Sequence, residues 1–380
     1  MRYIAYSILC IFFSCCQFNE KVQKQEVLLT DSILSICGVK QIYMDDLNYP
    51  TSGHIRYSED NGKPCLIQSN DRQKTIRVYD YFSGEKLSEI KLENMKGEFF
   101  AYSASTAFAI AGERDRTTIS AWIDSQMKEI KIPIKKEKGH IEQYPRCRFD
   151  GGVFLDGKWY FSCFRLGEYP NEMKLGKDRF PLLELNLEEN SYKFVGAYPE
   201  VYAHNNMGTL NYWVPDLCRG KDTGEIVLGF KASPEILIYS PKTKKHHFES
   251  VKSIYADTIP LPLTGKGRDF FNESDSYYYF AQYTHYGTMS YDPWRKIYYR
   301  FVGIGLNDWD LESSPLLQNQ KTWSVLVFDE SFKKLGEQYL GDKYDVNFHF
   351  VSPDGLYILN QDKDENVANY TLFKYKEREL

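Results

Sequence analysis

Four of the seven histidines in this 380-residue chain occupy one kind of place. His54 in GHIRY, His204 in AHNNMGTLNYW, His285 in THYGTMSY and His349 in NFHF each stand at or just before a short aromatic or β-branched run. Arg146 and Arg148 enter the stretch PRCRFDGG in the same manner. Neutral imidazoles that meet at one point can bind a transition metal or act as acid and base. Two guanidiniums match a carboxylate through paired N–H donors. The chemistry on offer is recognition of a carboxylate-bearing or hydroxyl-rich molecule, or base-assisted cleavage of one. Histidine and tyrosine also serve as inert fillers bonded to loop carbonyls, and strand alternation leaves open which of the six point inward.

Other motifs narrow the field. The chain contains no GxSxG, no HExxH and no P-loop, and no paired carboxylates at positions that suit a glycosidase. The sequence implies no cofactor and no metal. Asp362 to Asn366, DKDEN, resembles the start of a calcium loop, but Val367 stands where the sharp-turn glycine belongs. Of eight cysteines, Cys10, Cys15 and Cys16 lie near the start. The remaining five, an odd number without CxxC, argue against a disulfide framework or a zinc site; Cys147 and Cys163 read as small buried residues. Trp159, Trp213, Trp294 and Trp323 read as packing residues, and Trp309 as a loop aromatic that could meet a ligand.

The elements that must position these side chains are strands. EDNGKPCLI, LDGKWYF, DTGEIVLGF, DPWRKIYYRF and PDGLYIL each run a polar turn into an aromatic or β-branched segment, a hairpin signature. A second strand–turn–strand pattern follows most of them, as in RVYDYFSGEKLSEI and VFDESFKKLGEQYL. Six such units begin near His54, Phe99, Pro145, Thr209, His285 and Asn347. With 30 Tyr, 24 Phe and no long helical pattern, the expected fold is all-β: a β-propeller of six four-stranded blades, seven being compatible with the long unit from Tyr277 to Leu340. The last unit stops after three strands, so a strand from Val39 to Met44 is expected to supply the fourth and close the ring.

The N-terminus sets the compartment. Arg2 precedes an apolar run from Tyr3 to Phe13, too short to span a bilayer, and the run ends in Ser14-Cys15. This resembles a bacterial lipobox, with Cys15 as the acylated residue; Cys16 and an ordinary secretory signal are the alternatives. The expected organisation is a signal peptide over 1–15, a tether over 16–36 and one propeller over 37–380. A formal net charge of −5 without a basic run makes nucleic acid an unsuitable partner.

An exported lipoprotein whose body is one Tyr- and Phe-rich propeller resembles the uncharacterised lipoproteins of Bacteroides and its relatives grouped under a domain of unknown function, number 4221. The resemblance covers about Glu26 to Lys376, implies a cell-envelope location, and carries over no functional residues; with the lipobox, the expected place is a lipid anchor at the outer membrane. Two functions then compete. The leading one is binding of a glycan, peptide or envelope protein by a propeller face. The alternative is a polysaccharide lyase or glycoside-cleaving enzyme, with His54, His204, His285 and His349 as base or metal ligands and Arg146 and Arg148 on a uronate.

Overall fold

Asn61-Gly62 and Asp156-Gly157 each join two strands through a two-residue turn whose φ angles are 50° and 74°. Both φ positive is the geometry whose twist suits antiparallel strands, and Asn-Gly and Asp-Gly adopt it most readily. From such hairpins the chain builds six antiparallel sheets. The computed structural model describes residues 32–44, 54–113, 116–133, 142–147, 151–166, 179–203, 210–221, 224–256, 280–306, 321–362 and 366–377.

Blade 1 holds β2 (Ile55–Asp60), β3 (Lys63–Asn70), β4 (Thr75–Asp80) and β5 (Lys86–Lys91). Blade 2 holds β6 (Glu98–Ser103), β7 (Thr106–Gly112), β8 (Arg116–Ile123) and β9 (Gln126–Pro133). In blade 3 the innermost strand is broken in two: β10 (Glu142–Arg146) and β11 (Gly152–Leu155) pair successive parts of β12 (Lys158–Leu166), followed by β13 (Leu182–Asn186) and β14 (Ser191–Val195). Gly151 sits at the break with φ +64°, where a Cβ would stand 2.1 Å from the Phe100 ring. Only glycine fits there.

Blade 4 holds β15 (Asp216–Arg219), β16 (Ile226–Phe230), β17 (Ser233–Ser240) and β18 (Lys245–Ser250). Blade 5 holds β19 (His285–Asp292), β20 (Ile297–Gly303), β21 (Trp323–Asp329) and β22 (Lys334–Gly341). Blade 6 takes β23 (Tyr344–Ser352), β24 (Gly355–Asn360) and β25 (Val367–Tyr375) from the C-terminus and β1 (Leu34–Tyr43) from the N-terminus. The expected six blades and N-terminal closure are both present. The closing strand starts five residues before Val39, because a register shift between Ile36 and Gly38 lets pairing with β25 continue to Leu34.

Blade 4 begins at Asp216 rather than near Thr209. Short helical turns at Glu200–Ala203 and Leu210–Trp213 precede it and carry Tyr202, Tyr212 and Trp213 into the seam between blades 3 and 4. Among the described residues no helix is long and apolar enough to cross a membrane.

The core is divided into six apolar seams, one between each pair of neighbouring blades. Ile67 and Ile76 meet Phe99 and Ala107; Phe108 and Ile119 meet Phe161 and Leu183; Tyr160 and Leu182 meet Leu228 and Leu237. Ile236 and Ile238 meet Tyr298 and Leu326; Phe301 and Val325 meet Leu356 and Ile358; Phe350 and Tyr370 meet Leu66 and Tyr79. Cys65, Cys147, Cys163 and Cys218 are free and buried, whereas Cys37 is free and exposed. One cation is built into a seam: Arg300 of blade 5 is fully buried and donates to the carbonyls of Phe230, Ser233 and Pro234 in blade 4, its guanidinium 4.0 Å from the Tyr286 ring centroid.

A chain shortened to start at Asp45 should lose ring closure. It gives up the buried Ile33, Leu34, Ile42 and Met44, about 6–12 kcal/mol at ~1.5–3 kcal/mol per side chain, and exposes the edge of β25. Melting and gel filtration should show a much lower Tm or aggregation relative to a chain starting at Glu26; equal Tm values would place closure elsewhere.

Candidate functional site

Closing six blades into a ring leaves their innermost strands around an axial channel, and a cavity of about 510 Å³ occupies it. Arg56 and Tyr57 of β2, Phe100 and Tyr102 of β6, Val153 and Phe154 of β11, Arg219 of β15, Ser290 and Tyr291 of β19, and His349 and Val351 of β23 line it. Adjacent residues such as Arg56 and Tyr57 both reach the cavity, so strand parity does not decide access. Trp294 and Lys296 from the β19–β20 turn and Glu330 from the β21–β22 turn also line it, which sets its mouth at the end where the innermost strands finish.

The structure separates the six residues singled out from the sequence. His54 and His349 line the cavity. His54 stacks on Phe348 with ring centroids 6.1 Å apart. His349 Nδ1 lies 2.7 Å from the Val346 carbonyl, which can only accept, so Nδ1 carries the proton. Its Nε2 then accepts from Ser290 Oγ at 2.7 Å. Register shifts in both parent strands, between Tyr286 and Met289 and between Asp345 and His349, bring these two side chains together across the blade 5–6 boundary. Burial lowers the His349 pKa to about 4, against a small opposing effect of the Val346 carbonyl. It is neutral at physiological pH.

His285 lies off the channel. It is buried between Phe280 and Trp323, at ring-centroid distances of 4.2 and 5.4 Å, and its Nδ1 faces Lys321 Nζ at 3.0 Å. The Lys321 ammonium also donates to the carbonyls of Phe280 and Tyr283 at 2.6 and 2.7 Å. Burial, then the Lys321 charge, holds His285 well below the ordinary histidine range. Arg146 is tied to Glu98 of blade 2, Nε to Oε1 at 2.9 Å, and lies over the Phe164 ring. Arg148 and His204 lie outside the described residues, as do Trp309 and the lipobox with Cys15. Among the described residues no group of three or more His, Cys, Asp or Glu side chains could hold a metal ion.

The cations that do reach the channel are ones the histidine pattern does not flag. Arg56, half-buried, has its guanidinium 4.5 Å from the Tyr102 ring centroid and 6.0 Å from that of Phe100. Among the described residues it has no hydrogen-bonding or ion-paired acceptor. Burial presses its pKa downward, Tyr102 opposes this, and the like charge of Arg219 adds to it. Trp294 is a correction to the packing expectation: it stands 46% exposed at the mouth, its ring 5.5 Å from Tyr57 and edge-on to it. Trp159 and Trp213 are buried as packing residues should be.

The fold and channel define the class, a six-bladed β-propeller with a polar, aromatic-walled axial cavity. The chain belongs to the family described as domain of unknown function DUF4221, whose profile matches residues 30–339. It is similar to the crystal structure of a DUF4221 family member from Bacteroides vulgatus, with a TM-score of 0.73, 18% identity, and coverage of 91% of this chain and 98% of that one. A provisionally named exported protein of Bacteroides fragilis aligns with a TM-score of 0.49 and 11% identity, covering 92% and 97% of the two chains. A luciferin-regenerating enzyme aligns at 0.43 and 11%, covering 88% and 95%. No functionally curated protein matches the chain in sequence.

The two depressed imidazoles set an acid sensitivity. Folded, His285 and His349 stay neutral below the ordinary histidine pKa of 6.5, whereas the unfolded chain takes up protons there. Stability is therefore fully present above about pH 6.5 and is lost as pH falls toward about 4, with His349 accounting for about 1–3 kcal/mol after allowance for its partial exposure. Urea unfolding at pH 7.5 and 4.5 should show this loss, and His349→Gln should reduce it; an unchanged pH dependence in the variant would refute the assignment.

Proposed function

We propose that the chain is an exported lipoprotein of the bacterial cell envelope, anchored at the outer membrane through Cys15, that binds a glycan, peptide or protein partner in the central channel of its propeller. The observation that carries the reading is the cavity: about 510 Å³, within the ~300–1,000 Å³ of ordinary ligand sites, and walled by side chains from all six innermost strands. Trp294 and Phe154, 46% and 41% exposed, line it with aromatic rings. Such rings stack on sugars and on apolar side chains. Arg2, the apolar run from Tyr3 to Phe13 and Ser14-Cys15 support export and lipidation. The catalytic alternative needs an effective base at the channel, and burial holds His349 at a pKa of about 4, a weak base at physiological pH. Binding suits that arrangement better.

Two measurements test the reading. Metabolic palmitate labelling and membrane fractionation should lose the protein in Cys15→Ser and keep it in Cys16→Ser; the reverse result moves the anchor by one residue, and labelling of neither wild type nor variants removes it. Trp294→Ala combined with Phe154→Ala should weaken capture on glycan and peptide arrays about tenfold at unchanged Tm. Unchanged capture would move binding to the outer loops.

A further inference from the structure

We propose that the channel is an oxyanion receptor in which Arg56 and Arg219 hold the acidic group of a saccharide, a reading that rests on the channel being the ligand site. Arg56 belongs to blade 1 and Arg219 to blade 4, and in a closed ring of six those blades face each other across the axis. The two guanidiniums thus approach the channel from opposite sides. Neither has an acidic partner among the described residues.

The balance of charge at the cavity opposes that of the protein. The chain as a whole carries 52 acidic and 47 basic residues. Among the described residues, the charged side chains lining the cavity are Arg56, Arg219 and Lys296 against Glu330. The Glu330 carboxylate is already engaged, accepting from the Tyr291 hydroxyl at 2.5 Å. Cations taken out of water are ordinarily paired, because desolvation without compensation is costly. Other buried or half-buried cations have compensation: Arg77 pairs with Glu89 at 2.7 Å, Arg146 pairs with Glu98, and Arg300 donates to three carbonyls. Arg56 departs from this pattern, with only aromatic rings on its face and a like charge opposite.

A second polar group in the cavity is also unsatisfied. Thr288 is 9% exposed, lines the channel, and its Oγ1 has no hydrogen-bond partner among the described residues. An oxyanion between the two guanidiniums would supply the missing countercharge. A planar guanidinium fork suits a carboxylate or a phosphate through two parallel N–H···O bonds. The exposed rings of Trp294 and Phe154 extend the site from a bare ion to a ring-bearing molecule; an acidic sugar carries its carboxylate on such a ring, which oligoglutamate does not.

The test uses the full mature chain in detergent, with trigalacturonate, maltotriose, oligoglutamate and inorganic phosphate as probes. Calorimetry should show trigalacturonate bound more tightly than the other three, with affinity falling as salt rises. Arg56→Met and Arg219→Gln should each weaken it about 10-fold or more, while leaving the ligand-free Tm unchanged or higher, because removing one of two unpaired like charges relieves repulsion. Equal binding of maltotriose, unaffected by either variant, would overturn the anion clamp and leave a neutral channel site. A preference for oligoglutamate would overturn the saccharide, and phosphate binding as tight as trigalacturonate would reduce the site to a simple anion hole. A large fall in ligand-free Tm for Arg56→Met would make Arg56 a structural residue and sink the proposal. Binding of none of the probes would do the same.

Discussion

The ladder between β1 and β25 turns six sheets into one body. Each blade buries its faces against two neighbours, so an open row of six would leave two faces bare. The antiparallel pairing from Leu34 with Tyr375 to Tyr43 with Val367 removes that deficit by making the last blade from both ends of the chain. It also places Ile33 and Leu34 in the seam between blades 5 and 6, and Ile42 in the seam between blades 6 and 1. Both seams that flank the closing blade therefore depend on the same N-terminal strand.

Closure also fixes the channel. Once the ring is complete its radius is set by the apolar packing between blades, and close-packed interiors yield little. Side chains on opposed innermost strands cannot relax apart. Arg56 and Arg219 are held on blades 1 and 4 by this constraint. The rigid scaffold thereby keeps the two backbone positions that carry these like charges opposed across the axis. The same rigidity locks Ser290 against His349, where bulges in two adjacent blades must agree to a fraction of an ångström for a 2.7 Å bond to form.

Much of the fold was legible because its determinants are local. Asn61-Gly62 and Asp156-Gly157 announce their turns in two letters, and in β9, which begins at Gln126, Ile130 and Ile132 alone are buried, as strand alternation requires. Blade 4 was less legible, since its approach is filled by helical turns whose aromatics serve a seam rather than a strand. The site was legible only in outline. That His54 and His349 stand at innermost strands follows from the repeat, but that His285 turns instead into a lysine-and-carbonyl cage depends on Lys321, a residue 36 positions away. Arg146 likewise finds Glu98 across 48 positions. Arg56 in HIRYS and Arg77 in TIRVYD have nearly the same neighbours, yet one faces the channel and the other an acidic partner on the next strand. Strand position within the blade, not local sequence, decides between them.

The joining of the two chain ends has a meaning in time. Gln41 and Asn369, hydrogen-bonded neighbours in the closing ladder, are 328 positions apart. Loop-closure entropy grows only as the logarithm of length, about 5 kcal/mol for a loop of this size, so the separation is tolerable at equilibrium. It is severe in order of events. The strand synthesised first is the last to find its partner, and it waits while five blades assemble. Completion of the ring is thus a check that the whole polypeptide has arrived, built into the topology and needing no separate sensor.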